Sequence, residues 1–373
     1  MTRTVLVTGS RGFVGRNLGA ALRRLATVQL HEHDLEMPLS RLVDAVNRAE
    51  VIFHLAGVNR PTREEEFTTG NTGFTGEICG LLRRGGRTPK IVFSSSIQAE
   101  LDNPYGRSKR GAEELLRDFA ADTGAECVVY RFKNLFGKWC RPHYNSVIAT
   151  FCHNIARGLP IQVNDPAREL EFTYIDDVIA AFVMELQPGP PGFRFGPPLA
   201  GARQSLGQLA EKIQAFKELR TNLLLPDFSS YFDRALYATY LSYLEESRFG
   251  YNLQAISDQR GSLAEFLKSP QLGQIFISRT RPGITRGDHY HHTKTEKFLV
   301  VQGEAIIRFR HLESSRVIEY RVSGEDYRVL DIPPGYVHSL ENVGQDELVA
   351  LFWSSQMFDP EHPDTYSEPA LRP

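Results

Sequence analysis

The densest group of reactive side chains lies late in the sequence: His289-x-His291, then Glu296, and later His338 within Pro333-x-Gly335-x-x-His338-(x3)-Asn342. On a strand, alternate residues share a face, so His289 and His291 project together. A barrel interior can then collect Glu296 and a ligand from a later strand. Three imidazoles and a carboxylate bind a divalent transition metal and leave positions open for water or substrate. His292 points the other way and belongs behind a ligand or on the surface. Without a metal, the same histidines would be hydrogen-bonded inside the barrel.

A second group is Tyr105-x-x-x-Lys109, at the start of a helical run, which places both side chains on one helix face. An ammonium beside a phenol lowers the phenol's pKa and makes it a proton donor or acceptor near neutral pH. The strand-like Ile91-Val92-Phe93 runs into Ser94-Ser95-Ser96, where a hydroxyl can bind a carbonyl oxygen together with the tyrosine. The bland alternative is a serine-rich loop and a surface Tyr/Lys pair.

A third group opens the chain. Gly9, Gly12 and Gly15 stand at GxxGxxG spacing between the strand-like Thr4–Thr8 and a helical run, around Arg11, Phe13 and Val14. Glycines there allow a tight turn, and a helix N-terminus offers free N–H groups to a pyrophosphate. Arg11 could pair with the 2′-phosphate of NADP. Asp34, near the end of the second strand, would instead take a ribose 2′-OH and favour NAD. The balance goes to NADP(H). Otherwise Arg11 is a solvated loop charge and Asp34 a helix cap.

The elements that must position these groups alternate in the first half. Strand-like runs at 27–30, 51–55, 90–94 and 128–132 are interleaved with helical runs at 15–25, 39–48 and 111–121, as in a parallel α/β sheet. The stretch between Asp34 and Val51 is short for a dinucleotide fold, and a strand is missing from it. Helical runs follow at 206–216 and 231–244. From Gln274 onward, short strands at 275–279, 297–301, 305–309, 317–322, 329–332 and 348–353 are broken by Gly, Pro and Asp, which argues for a closed β barrel or jelly roll. A boundary near Phe249–Gly261 divides the chain into 1–248 and 249–373. The fold expected is an α/β Rossmann-type parallel sheet plus an all-β barrel.

Composition narrows the partners. The 373 residues carry a formal charge of −2 and no basic run, against a nucleic-acid partner. Four cysteines without a C-x-x-C pair fit a reducing cytoplasm. The first strand leaves no room for a signal peptide, and no apolar run suits a membrane span.

These motifs carry a resemblance. Thr8–Gly15, His54-Leu55-Ala56-Gly57, Asn71, Ser94–Ser96, Tyr105/Lys109, the run 131–137 and Phe172–Asp177 resemble the extended short-chain dehydrogenase/reductases that act on sugar nucleotides. The resemblance implies that Tyr105 is the proton donor and that Lys109 binds the nicotinamide ribose. It makes Ser96 the substrate-polarising hydroxyl, with Ser95 second. Leu55, Ala56 and Gly57 would line the cofactor and Asn134 the sugar nucleotide. Core or capping roles for Asn71 and Asn134 are equally compatible.

The histidine pattern matches the cupin signature, with Tyr327 where a glycine is expected. Zinc is the metal expected, as a Lewis acid without redox change; the ligands alone leave iron, manganese and nickel open. Together with Asp258–Ser262 and Phe358-Asp359-Pro360, nearly the whole chain resembles the bifunctional capsular-polysaccharide enzymes of the CapF family. That resemblance implies carbon-3 epimerisation by a zinc cupin and NADPH-dependent reduction of the carbon-4 ketone of a UDP-activated 4-keto amino-deoxy sugar, in a cytoplasmic homodimer. The alternative is a single-activity enzyme whose cupin is structural or dimerising. Lys294, Lys297, His292 and Tyr336 lie near the signature, and the epimerase base is not assigned among them. Arg308 and Arg310 share a strand face that meets either a pyrophosphate or solvent.

Overall fold

A computed structural model describes residues 2–372. They fall into two compact units: residues up to Gln214 with Tyr231–Glu245, and Ala215–Ser230 with Glu246 onward. Ala215–Ser230, which a division at 248 puts in the first part, groups with the second. Its middle is tied there by backbone bonds of 2.8 Å from Leu225 N to Lys268 O and from Lys268 N to Leu223 O.

The first unit runs β1 (Arg3–Thr8), α1 (Phe13–Leu22), β2 (Val28–His33), α2 (Leu39–Arg48), β3 (Val51–His54), α3 (Glu65–Phe67), a π-helical turn (Thr68–Gly73), α4 (Phe74–Arg84), β4 (Lys90–Ser96), α5 (Pro104–Thr123) and β5 (Glu126–Phe132). It continues with β6 (Asn134–Phe136), α6 (Val147–Arg157), β7 (Glu169–Tyr174), α7 (Ile175–Met184), β8 (Gly192–Phe195), β9 (Ala202–Ser205), α8 (Leu206–Asn222, shared with the second unit) and α9 (Tyr231–Leu241). The main sheet has the order β2-β1-β3-β4-β5-β8, and every pairing is parallel. Both faces are covered, one by Leu42, Ile78 and Leu116 and the other by Leu18 and Phe182, which is why its strands read as continuous apolar runs. β2 is the edge, so no strand lies beyond it, as the short stretch after Asp34 implies. β1 has β2 on one side and β3 on the other. The chain therefore changes direction there, and a crevice opens at the carboxyl ends of these strands.

The second unit is antiparallel. Its strands are β10 (Ala255–Asp258), β11 (Gly261–Ser269), β12 (Gly273–Thr280), β13 (Thr285–Tyr290), β14 (Glu296–Gln302), β15 (Glu304–His311), β16 (Val317–Ser323), β17 (Val329–Ile332), β18 (Tyr336–Asn342), β19 (Leu348–Ser354) and β20 (Tyr366–Ser367). They form two sheets, β10-β11-β12-β19-β14-β17 and β16-β15-β18-β13-β20. Phe298, Ile307, Phe309, Leu340 and Phe352 pack together as the cupin-type core. β13 and β18, which carry metal-ligand candidates, are poor in apolar runs and are not among the strands that texture suggests.

Candidate functional sites

In the first unit, each expected group sits at a carboxyl end of the sheet. β1 ends at Thr8 and the glycine turn follows. Gly9 has φ +66°, and a Cβ on Gly15 would stand 2.1 Å from the Gly9 carbonyl oxygen, so the turn closes only without side chains there. Gly9, Arg11, Gly12, Phe13, Val14 and Gly15 line a cavity of about 850 Å³. Leu55 and Gly57 line it from the end of β3, whereas Ala56 lies behind Gly9.

His54 does not reach the cavity. It is buried, its ring nitrogens lie 2.8 Å from Thr8 Oγ1 and 2.9 Å from Thr75 Oγ1, and burial pulls its pKa down to about 3. Asn71 is a clamp. Its amide donates to Val58 O and Ser108 Oγ and accepts from Val58 N, leaving no polar atom for a ligand. It thus ties the loop after β3 to α5 through the π-helical turn.

Asp34 also lies outside the cavity. Its carboxylate accepts from Arg11 N at 2.7 Å and from Leu35 N at 2.9 Å, so it shapes the glycine turn. The Arg11 guanidinium pairs with Glu36, which the sequence reading missed. Arg11 also borders an adjoining cavity of about 600 Å³ with Arg16, Arg23 and Glu32.

α5 starts cleanly. Asn103 caps it by accepting from Gly106 N at 2.8 Å, and Pro104 fills the first turn. Tyr105 therefore sits at the helix mouth, in the cavity wall, with Lys109 one turn deeper. Lys109 Nζ donates to Ser94 O at 3.0 Å and lies 4.9 Å from the Phe93 ring centroid. Burial pulls its pKa down to about 8, against the pull of Glu113. Burial raises the Tyr105 phenol, and a hydrogen bond with Ser96 opposes that rise.

All three serines line the cavity and they divide by partner. Ser95 is buried and its hydroxyl donates to Glu113 Oε1 at 2.5 Å, whereas Ser96 is hydrogen-bonded to Tyr105. Glu113, also missed, holds Arg131 through both carboxylate oxygens at 2.9 and 2.5 Å. It is the helical neighbour one turn beyond Lys109, a spacing the sequence does contain. Asn134 lines the cavity while its amide donates to Glu171 O at 3.1 Å.

The second unit gathers His289, His291, Glu296 and His338, with one ligand atom of each within 4.8 Å of the others. A bulge between Gly287 and His289, with Asp288 at φ 55°, re-aims the strand so that His289 pairs with His338. His291 lies one residue past the end of β13, and Glu296 begins β14. The His291 Nδ1 lies 2.6 Å from the Asp364 carbonyl oxygen and the His338 Nδ1 3.3 Å from that of Tyr336. A carbonyl only accepts, so both Nδ1 atoms carry the proton and both Nε2 atoms present lone pairs. Those Nε2 atoms are buried without a hydrogen-bond partner, 3.5 and 3.4 Å from Glu296 Oε2. Lone pairs converging on a carboxylate suit a cation and do not suit one another. The residues fit a divalent metal.

The neighbours left open in sequence are otherwise engaged. Lys294 Nζ donates to Pro363 O and Thr365 Oγ1, Lys297 pairs with Asp331, and His292 packs on Tyr290 and Tyr366. Tyr336 packs edge-on to His311. Arg308 is held by Glu319 and Glu341, and Arg310 is fully buried against Glu368, so this pair meets neither pyrophosphate nor open solvent.

Residues 5–194 match the NAD dependent epimerase/dehydratase family, and residues 256–366 match the polysaccharide biosynthesis C-terminal domain. The UDP-2-acetamido-2,6-beta-L-arabino-hexul-4-ose reductase of Pseudomonas aeruginosa is 43% identical over 364 residues, covering 97% of this chain and 98% of that one. The crystal structure of the capsular polysaccharide assembling protein CapF from Staphylococcus aureus is 44% identical, with a TM-score of 0.91 over 98% of this chain and 99% of that one. CapF with the inhibitor 3-isopropenyl-tropolone is 40% identical, with a TM-score of 0.87 over 98% of this chain and 99% of that one. With a nucleotide-type crevice in one unit, a cupin-type core in the other and a likeness that spans both, this chain belongs to the CapF family, whose first part is of the NAD dependent epimerase/dehydratase family.

Proposed function

We propose that the chain catalyses two consecutive steps on one ketone. The cupin epimerises carbon 3 of a UDP-2-acetamido-2,6-dideoxy-4-keto-hexose. The first unit then reduces the 4-ketone with NADPH to a UDP-N-acetyl-6-deoxy-L-talosamine, the precursor of UDP-N-acetyl-L-fucosamine for surface polysaccharide. The observation that carries this reading is the pairing of Tyr105 with Ser96 in the wall of the glycine-turn cavity, in a chain that also converges three histidines and a glutamate. The name of the Pseudomonas relative, a 4-ulose reductase, supports the substrate class.

When bound, NADPH supplies a hydride and a zinc ion supplies Lewis acidity toward a ketone oxygen. The chain's own residues do the rest. Gly9–Gly15 offers backbone N–H groups to the cofactor pyrophosphate, and Arg11 answers the 2′-phosphate. Ser96 and Tyr105 hold the carbon-4 oxygen, and Tyr105 gives it a proton as the carbonyl becomes an alcohol. The hydrogen bond from Ser96 opposes the rise that burial imposes on the Tyr105 phenol, Lys109 would bind the nicotinamide ribose, and Asn134 orients the sugar nucleotide. His289, His291, Glu296 and His338 would hold the metal. Carbon 3 loses its proton only while carbon 4 is a ketone, so reduction locks the new stereochemistry.

We also infer a cytoplasmic homodimer, from the family resemblance and from four free cysteines. No helix among the described residues is long and apolar enough to cross a membrane.

The test is proton NMR of the 4-keto sugar nucleotide in D2O. Deuterium uptake before NADPH is added, and an alcohol after it, is expected. Uptake that persists after the metal is stripped would mean that the cupin is only structural or dimerising.

A further inference from the structure

The C-terminal segment after β19 is built into the metal site from outside the signature. Asp364, about seventy residues beyond the histidine pair, lies against the loop that joins β13 to β14. Its carboxylate accepts from three successive backbone amides: His292 N at 3.0 Å, Thr293 N at 2.9 Å and Lys294 N at 2.9 Å. It also accepts from Thr293 Oγ1 at 2.8 Å. Its own carbonyl takes the Nδ1 proton of His291 at 2.6 Å. One residue therefore sets both the path of the ligand loop and the tautomer of a ligand.

Asp364 holds this place in a left-handed conformation, φ 39°. Aspartate tolerates that region better than most side chains, and the contacts around it fix it there. Those surroundings are specific. β20 pairs Tyr366 with Tyr290 and Ser367 with His289. Beyond it, Glu368 N donates to Asp288 O and Ala370 N to Asp288 Oδ1, each at 2.9 Å. The buried Arg310 holds Glu368 and donates to Pro369 O at 3.0 Å.

We infer that Asp364 is a positioning residue for the metal centre, and that the segment 363–370 is a strap that presets His289 and His291 for metal. This rests on the reading of His289, His291, Glu296 and His338 as metal ligands. Partners that orient ligating histidines typically contribute about 10–100-fold in metal affinity.

The experiment titrates zinc into the metal-stripped full-length protein against a competing chelator, for wild type, Asp364→Ala and Asp364→Asn. Circular dichroism and melting of the metal-free forms are measured in parallel, and the visible spectrum of each cobalt-loaded form is recorded. Wild type should take one zinc. Asp364→Ala should bind it about 10–100-fold more weakly, with an altered cobalt spectrum. Asp364→Asn, which keeps an acceptor oxygen and loses the charge, should fall between. A variant with wild-type zinc affinity and cobalt spectrum overturns the inference, even if its metal-free form melts earlier, because that loss is merely structural. If Asp364→Ala does not fold, Asp364→Asn decides alone by the same criterion. A wild type that takes up no divalent metal would instead overturn the underlying metal reading.

Discussion

Replacing Lys109 by methionine should abolish reduction and yet stabilise the cofactor-free protein at neutral pH. The side chain is 6% exposed, and burial brings its pKa from the ordinary 10.5 down to about 8. At ~1.4 kcal/mol per pH unit, holding that ammonium charged at pH 7 costs about 3 kcal/mol of stability. Methionine keeps the unbranched stem and removes the charge. It forfeits the bond to Ser94 O, at ~1 kcal/mol. It also forfeits the cation above the Phe93 ring, at ~0.5–1 kcal/mol. The net gain is about 1–2 kcal/mol, or roughly 2–8 °C for a unit of this size. The sign follows from proton counting. Between pH 8 and 10.5 the unfolded lysine holds a proton that the folded one lacks, so wild-type stability from this group rises with pH. The advantage of Lys109→Met should therefore be largest below pH 8, shrink as pH rises and reverse before pH 10.5, where the lost hydrogen bond is what remains. Urea unfolding of both proteins without NADPH, at pH 7 and pH 10, measures it. A variant less stable than wild type at pH 7, or an advantage independent of pH, would refute the reasoning.

The same group sets a kinetic expectation. The kcat/KM for NADPH should fall on an alkaline limb near pH 8 as Lys109 loses its charge, and in Glu113→Gln, which removes the opposing carboxylate, the limb should move to lower pH. Ser96→Ala should lower the rate of ketone reduction about 10²-fold. Ser95→Ala should leave that rate within a few-fold and cost ~1.5–3 kcal/mol in unfolding measurements, because its partner is the Glu113 carboxylate. Arg11→Ala should raise KM for NADPH about 10–100-fold and leave NADH nearly unaffected, as steady-state kinetics with both cofactors will show. His338→Ala should lose stoichiometric zinc by metal analysis and, with it, deuterium uptake into the keto sugar before NADPH is added.

The residues that the structure brings together at the two candidate sites belong to short local patterns in the sequence. The turn at Gly9–Gly15 needs only a strand, three glycines and a helix. Tyr105 and Lys109 share a helix face by spacing alone, and Asn103-Pro104 starts that helix. The missing strand was legible as too few residues between Asp34 and Val51, and the sheet indeed ends at β2. The strands β13 and β18 were legible through their ligand spacing and not through apolar alternation, because Arg, Gly, Asp and His in β13 and His, Ser and Glu in β18 break that alternation. Metal ligands took the places of the signal.

The sequence by itself determined which residues have the chemistry and which lie within one turn or one strand of each other, since covalent spacing governs those distances. Tertiary structure alone decided which of two adjacent serines faces Tyr105, because that depends on Glu113 arriving from α5 behind Ser95. It alone turned Asp34 toward the Arg11 amide and Asn71 into a clamp. It also alone brought Asp364 to the histidine loop. Each of these outcomes is a choice of hydrogen-bond partner between segments far apart in the chain, and a buried polar group takes whichever partner the packing delivers.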